Sequence, residues 1–212
     1  MTLLLGLDTS TRTASVAAFD GDQVVSETTW LAGREHSTRL LVEAEACLER
    51  IGRAPPDVTG LVVARGPGSF TGVRVALSVA KGMAAALRVP AWGVSTLDVL
   101  AAAAGQVDVP VRAVLEAGRG RFATALYQGG RCVEAARLAT LDELTVLLAQ
   151  PTLVIGELSG DARARLQRMP TARVAATAAS LRRAGFLAEL GWRLQRQGDP
   201  GDPRLLDALY VT

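Results

Sequence analysis

An α/β fold of two lobes, each a mixed sheet with helices on its faces, is what this chain predicts. Three observations carry the prediction. Strand and helix patterns run β-β-β-α-β-α twice along the chain. A turn-rich stretch separates the two runs, and an apolar share of 49% over 212 residues is enough for a sizeable core.

The elements follow in order. Leu3–Leu7 is a short apolar run suited to a buried strand, and it ends in the polar turn Asp8-Thr9-Ser10-Thr11. Thr13–Phe19 and Gln23–Trp30 are strands joined by Asp20-Gly21-Asp22, which is hairpin chemistry. Glu35–Ile51 places Leu40, Leu41, Ala44, Leu48 and Ile51 at helical spacing, and Gly52 to Asp57 with Pro55-Pro56 stops that helix. Leu61–Ala64 is a fourth strand, Thr71–Arg88 a second helix, Ala91–Val94 a fifth strand and Ser95–Ala104 a third helix with Ser95 as its cap.

Gly105–Pro110 reads as a boundary, dividing the chain into lobes 1–104 and 105–212. Beyond it Val111–Glu116, Arg121–Tyr127 and Arg131–Leu138 are strands, Leu141–Ala149 a helix and Leu153–Ile155 a strand. Helices Ser159–Arg168 and Thr177–Gln197 follow, Gly198–Pro203 is a linker, and Leu209–Val211 returns to a sheet. The repeated order suggests a duplication whose residue-level trace is gone.

Composition narrows the function. A net charge of +2 from 23 basic and 21 acidic residues is no nucleic-acid footprint. Cys47 and Cys132 lack C-x-x-C spacing and read as free thiols of a reducing cytoplasm. The N-terminus lacks the basic flank and long apolar region of a signal peptide, and no uninterrupted apolar run suggests a membrane span.

Residues Arg65 to Arg74 read RGPGSFTGVR between a strand and a helix. Such a loop can turn backbone amides toward an anion, which makes Gly66, Gly68, Ser69, Thr71 and Gly72 candidate donors, beside Asp8, Thr9 and Ser10. It matches neither standard nucleotide template. No Gly-Lys-Ser/Thr follows, and Gly72 arrives one residue late for G-x-G-x-x-G.

The second helix is apolar almost all round, which implies burial on more than one side. Its polar stripe is Arg74, Ser78, Lys81 and Arg88, and Gly72, Ala76, Ala80 and Ala84 make an i, i+4 ridge of small residues. A ridge of this kind admits a second helix closely. The expected partner interface therefore comprises that ridge, Arg74 and Lys81, with Leu40, Leu41, Ala44 and Leu48 of the preceding helix. Glu43, Glu45 and Glu49 would complement the basic stripe.

Catalysis has thin support. His36 is the single histidine, too few for a histidine-based metal site, and no G-x-S-x-G elbow accompanies it. Asp8 at a strand end could ligate a metal if Glu116 or Asp98 converged on it, but its own turn is the commoner partner of such a carboxylate. No cofactor or metal is expected, and an enzyme using Asp8 and His36 is the alternative.

These residues together resemble the TsaB (YeaZ) family of tRNA threonylcarbamoyladenosine biosynthesis. The matching segments are LLGLDTSTRTASVA at Leu4–Ala17, REHSTRLL at Arg34–Leu41, VVARGPGSFTGVRVALSVAKGMA at Val62–Ala84 and VPAWGVSTLDVLA at Val89–Ala101. The resemblance is close over 1–104 and diverged beyond it. It implies two ribonuclease H-like lobes of the actin/Hsp70-like (ASKHA) superfamily, the second reduced. It also implies a non-catalytic dimerisation subunit that pairs with the catalytic paralogue TsaD, or with itself in isolation. The ATPase TsaE would join the pair, and tRNA would be met only through the complex.

Overall fold

The computed structural model describes residues 2–32 and 36–211, with no account of the side chains of residues 33–38. The motif residues Arg34 and Glu35 lie outside the described residues, as does the side chain of His36. Among the described residues the strands are β1 (Leu4–Asp8), β2 (Thr13–Phe19), β3 (Val24–Leu31), β4 (Gly60–Ala64), β5 (Ala91–Val94), β6 (Val111–Glu116), β7 (Arg121–Gln128), β8 (Arg131–Thr140), β9 (Thr152–Glu157) and β10 (Ala172–Val174). The helices are α1 (His36–Glu49), α2 (Phe70–Leu87), α3 (Thr96–Ala103), α4 (Leu141–Leu147), α5 (Gly160–Gln167) and α6 (Ala184–Arg196).

Two five-stranded sheets result, ordered β3-β2-β1-β4-β5 and β8-β7-β6-β9-β10. In each, the first strand pairs antiparallel with the second and parallel with the fourth, so the duplicated element order is a duplicated topology.

The chain forms two compact units, Met1–Thr96 with Arg182–Leu209, and Leu97–Leu181 with Tyr210–Thr212. This replaces the single cut at 104/105 expected from the turn-rich linker. The reason is an exchange of helices. α3 follows the first sheet in sequence, yet Leu97 and Leu100 pack with Val111, Ala113, Leu115 and Ile155 of the second. α6 follows the second sheet, yet it lies on β1, β2, β4 and β5 of the first.

In the first unit Leu5, Leu7, Leu61 and Val63 project to one face, where Leu40, Ala44 and Leu48 of α1 and Ala76, Ala80 and Ala84 of α2 cover them. α6 covers the opposite face so closely that a Cβ on Gly191 would fall 2.2 Å from Val62 Cγ2. Coverage on both faces explains why β1 and β4 are apolar runs buried at every position. In the second unit α4 and α5 complete the core, with Leu144, Leu148, Ala162 and Leu166 against Val114, Phe122 and Val154.

Two expectations from local pattern fail, and one strand was unforeseen. The Ala-rich stretch from Thr177 is turns, and α6 begins at Ala184, where Glu27 of β3 accepts from the Gly185 amide at 2.8 Å. That carboxylate from a neighbouring strand supplies the N-terminal partner the local sequence lacks. The short strand β10 was not anticipated. Residues 209–211 form no strand, although the Leu209 amide donates to the Arg65 carbonyl at 2.7 Å.

α2 has 18 residues at a mean hydropathy of 1.3, enough by length and composition alone to cross a bilayer, which a search for uninterrupted apolar runs overlooks. It carries Arg74 and Lys81, and its small-residue ridge is packed into the core.

Candidate functional site

The strand-end turn after β1 and the glycine loop before α2 form one clasp. The Ser69 amide donates to the Ser10 carbonyl at 2.6 Å, and the Thr9 hydroxyl to the Gly72 carbonyl at 2.7 Å. Ser69 caps α2, its Oγ accepting from the Gly72 amide. The glycines permit the approach. A Cβ at Gly68 would lie 2.2 Å from the Ser10 carbonyl oxygen, and one at Gly72 would lie 2.0 Å from that of Thr9. The expected anion cradle thus has its Ser69 and Gly72 amides already committed inside the protein, and Thr71 is exposed.

Asp8 is equally committed. Its Oδ1 accepts from the Ser10 amide at 2.7 Å and from the Ser10 hydroxyl. Its Oδ2 accepts from Arg182 Nε at 2.9 Å, and both side chains are only 1% exposed. Arg182 also donates to Thr11 Oγ1 at 2.9 Å and to the Thr13 carbonyl at 2.8 Å. Both oxygens of the Asp8 carboxylate are thus engaged within the protein, by its own turn and by a buried guanidinium. The other carboxylates considered have partners of their own in the second unit. Glu116 accepts from the Ser159 amide at 2.8 Å, and Asp98 from the Tyr127 hydroxyl at 2.6 Å. Burial and the Asp98 charge push the Tyr127 phenol far above its ordinary range. Among the described residues no group of three or more His, Cys, Asp or Glu side chains converges.

Arg182 was missed by sequence reasoning. It sat inside a stretch read as helix, and no motif links it to a partner 174 positions away.

The expected interface divides. Leu40, Ala44, Leu48, Gly72, Ala76, Ala80 and Ala84 are buried in the first unit's own core, so the small-residue ridge serves contact between α2, the sheet and α1, not an outward face. Lys81 lies 3.8 Å from Asp207, and Glu43 pairs with Arg39 and Arg50 at its own helix, so the expected complement to the basic stripe is partly used locally. What remains outward includes Leu41 and Arg74 of the expected set, with neighbours that were not expected. Leu41 and Val42 of α1 and Phe70 of α2 are 49, 59 and 58% exposed. Phe70, Thr71, Arg74, Val75, Ser78 and Val79 line a groove of about 400 Å³ on α2, with the Arg74 guanidinium 3.5 Å above the Phe70 ring.

Known proteins resemble this chain in sequence and fold. The profile of the TsaD family, tRNA N6-adenosine threonylcarbamoyltransferase, matches residues 28–184. The threonylcarbamoyladenosine biosynthesis protein TsaB of Bacillus subtilis is 37% identical over 125 residues, covering 59% of this chain and 55% of that protein. The chain spans about half the length of the curated relatives it matches. YeaZ from Pseudomonas aeruginosa superposes with a TM-score of 0.82 over the whole of both chains at 28% identity. The ethanolamine utilization protein EutJ from Carboxydothermus hydrogenoformans superposes with a TM-score of 0.58 over 89% of this chain and 90% of its own at 13% identity, a likeness of fold alone. The duplicated sheets are the two ribonuclease H-like lobes of the actin/Hsp70-like (ASKHA) architecture.

Proposed function

Because this chain belongs to the TsaD family, and within it to the TsaB (YeaZ) branch, we propose that it serves threonylcarbamoyladenosine modification of tRNA as a non-catalytic scaffold subunit. In this reading the outer face of α1 and α2 docks onto the catalytic paralogue TsaD. The ATPase TsaE is recruited to the pair, and tRNA is met only through the complex, in the cytoplasm. Without TsaD, two copies pair through the same face.

The observation that carries the reading is the set of exposed apolar side chains on these two helices. Leu41 and Val42 stand on α1 and Phe70 on α2, helices that contact each other, and Phe70, Val75 and Val79 line the groove on α2. Exposed large apolar side chains on adjacent helices are candidates for a docking face. In this reading the interface keeps Leu41 and Arg74 of the expected set and adds Val42, Phe70, Val75 and Val79, while Gly72, Ala76, Ala80 and Ala84 face the core. The non-catalytic part is supported by the commitment of Asp8 to Arg182 and Ser10.

The test is co-expression with the TsaD of the same organism. The parent chain is expected to co-purify with TsaD and to be required for the modified nucleoside in tRNA. A folded Val42→Asp/Phe70→Asp variant should lose both properties; if it co-purifies like the parent, the α1–α2 face is not the interface.

A further inference from the structure

The turn after β1 is built as a receptor for a planar cation. Arg182 Nε meets the Asp8 carboxylate, Nη1 the Thr11 hydroxyl and Nη2 the Thr13 carbonyl, at 2.8–2.9 Å. All three acceptors lie within residues 8–13, whereas the cation arrives on the segment that leads into α6. The same turn holds the start of α2, through Ser10 O to the Ser69 amide and Thr9 Oγ1 to the Gly72 carbonyl. Phe70, exposed and stacked under Arg74, sits between those two anchored residues.

We propose that Arg182 is a positioning residue. Its guanidinium, bound by the 8–13 turn, fixes the surface against which the first turn of α2 is set, and through it the orientation of Phe70 and Arg74 toward a partner. A planar fork is required, because an ammonium presents one compact charge and cannot meet three acceptors in a plane. Only the last readout below rests on the docking role proposed above.

The experiment uses the full chain and three variants, Arg182→Ala, Arg182→Lys and Thr9→Val, with backbone amide exchange followed by mass spectrometry. In folded Arg182→Ala, exchange across residues 8–13 and 66–73 should accelerate about tenfold or more, while β6 and β7 keep the parent's rates. Millimolar guanidinium should restore slow exchange saturably. Urea at the same concentration should not, nor should the Arg182→Lys replacement. A folded Arg182→Ala chain with the parent's exchange over 66–73, or one indifferent to guanidinium, overturns the proposal. If Arg182→Ala does not fold, Thr9→Val decides, since it spares the cation receptor and cuts the link to Gly72. Faster exchange at 69–73 with 8–13 unchanged supports the relay, and unchanged exchange overturns it. Finally, affinity of Arg182→Ala for TsaD should fall about tenfold and recover with guanidinium. Parent-level affinity in a fast-exchanging Arg182→Ala chain overturns the positioning role. A parent chain that ignores TsaD removes the proposed function alone, and exchange still judges the relay.

Discussion

A Cβ on Gly72 would lie 2.0 Å from the carbonyl oxygen of Thr9, and Thr9 in turn donates its hydroxyl to the Gly72 carbonyl. The obstacle is backbone, so no side-chain rotation relieves it. Gly72→Ala should therefore destabilise the chain by about 2–3 kcal/mol, at the upper end for overpacking. Urea unfolding would show the shift as a lower midpoint with an unchanged slope. A midpoint equal to the parent's would mean that the two loops separate freely.

Burial of the ridge predicts a contrast on one helix. Ala80 is fully buried, so Ala80→Leu should cost about 1–3 kcal/mol in the isolated chain, whatever its partner does. Phe70 is mostly exposed, so Phe70→Asp should leave stability within about 0.5 kcal/mol while weakening docking. Thermal melts of the two variants, run beside a pull-down on TsaD, separate the roles. Ala80→Leu melting like the parent would return the ridge to the surface.

Removing the Asp8 charge while leaving Arg182 in place should be severe. Asp8→Asn leaves a buried guanidinium without its counter-charge, a change of about 3–5 kcal/mol. Denaturant unfolding of the variant measures it directly. A loss under about 1 kcal/mol would show that water reaches the site.

In the second unit, Thr140 caps α4 in a reciprocal arrangement with Glu143. Thr140 Oγ1 accepts from the Glu143 amide, and a Glu143 carboxylate oxygen from the Thr140 amide at 2.6 Å. Thr140→Ala should cost about 1 kcal/mol. The Thr140 amide holds the Glu143 carboxyl below its ordinary value of 4.5. A carboxyl depressed by folding stabilises the protein above its unfolded value, and that help fades as pH falls through the lower folded one. Glu143→Gln should accordingly narrow its stability gap to the parent as the pH is lowered from 6 toward about 3. A gap that stays constant across that range would exclude the capping role of the charge.

Much of the fold was readable locally. Asp20-Gly21-Asp22 marks the β2–β3 hairpin, the apolar period of α1 sets its inner face, and β5 and β6 fall where their apolar runs lie. What failed needed information that local pattern does not hold. Alanine and glycine make a smooth surface without saying which way it faces, so the ridge of α2 could not be told from a docking stripe until the sheet lay beneath it. The three-residue β10 is too short to show a period. Ala-rich residues around Thr177 favour helix intrinsically, but the loop that delivers Arg182 to Asp8 overrides that preference.

The exchange of α3 and α6 has a consequence for synthesis on the ribosome. The first sheet emerges early, but the helix that seals its second face follows only after all of β6 to β10. Until Ala184 to Arg196 has left the exit tunnel, the hydrocarbon of β1 and β4 on that side stays wet. Folding of the first unit therefore awaits α6, and a chain stopped before that helix is a product prone to aggregation.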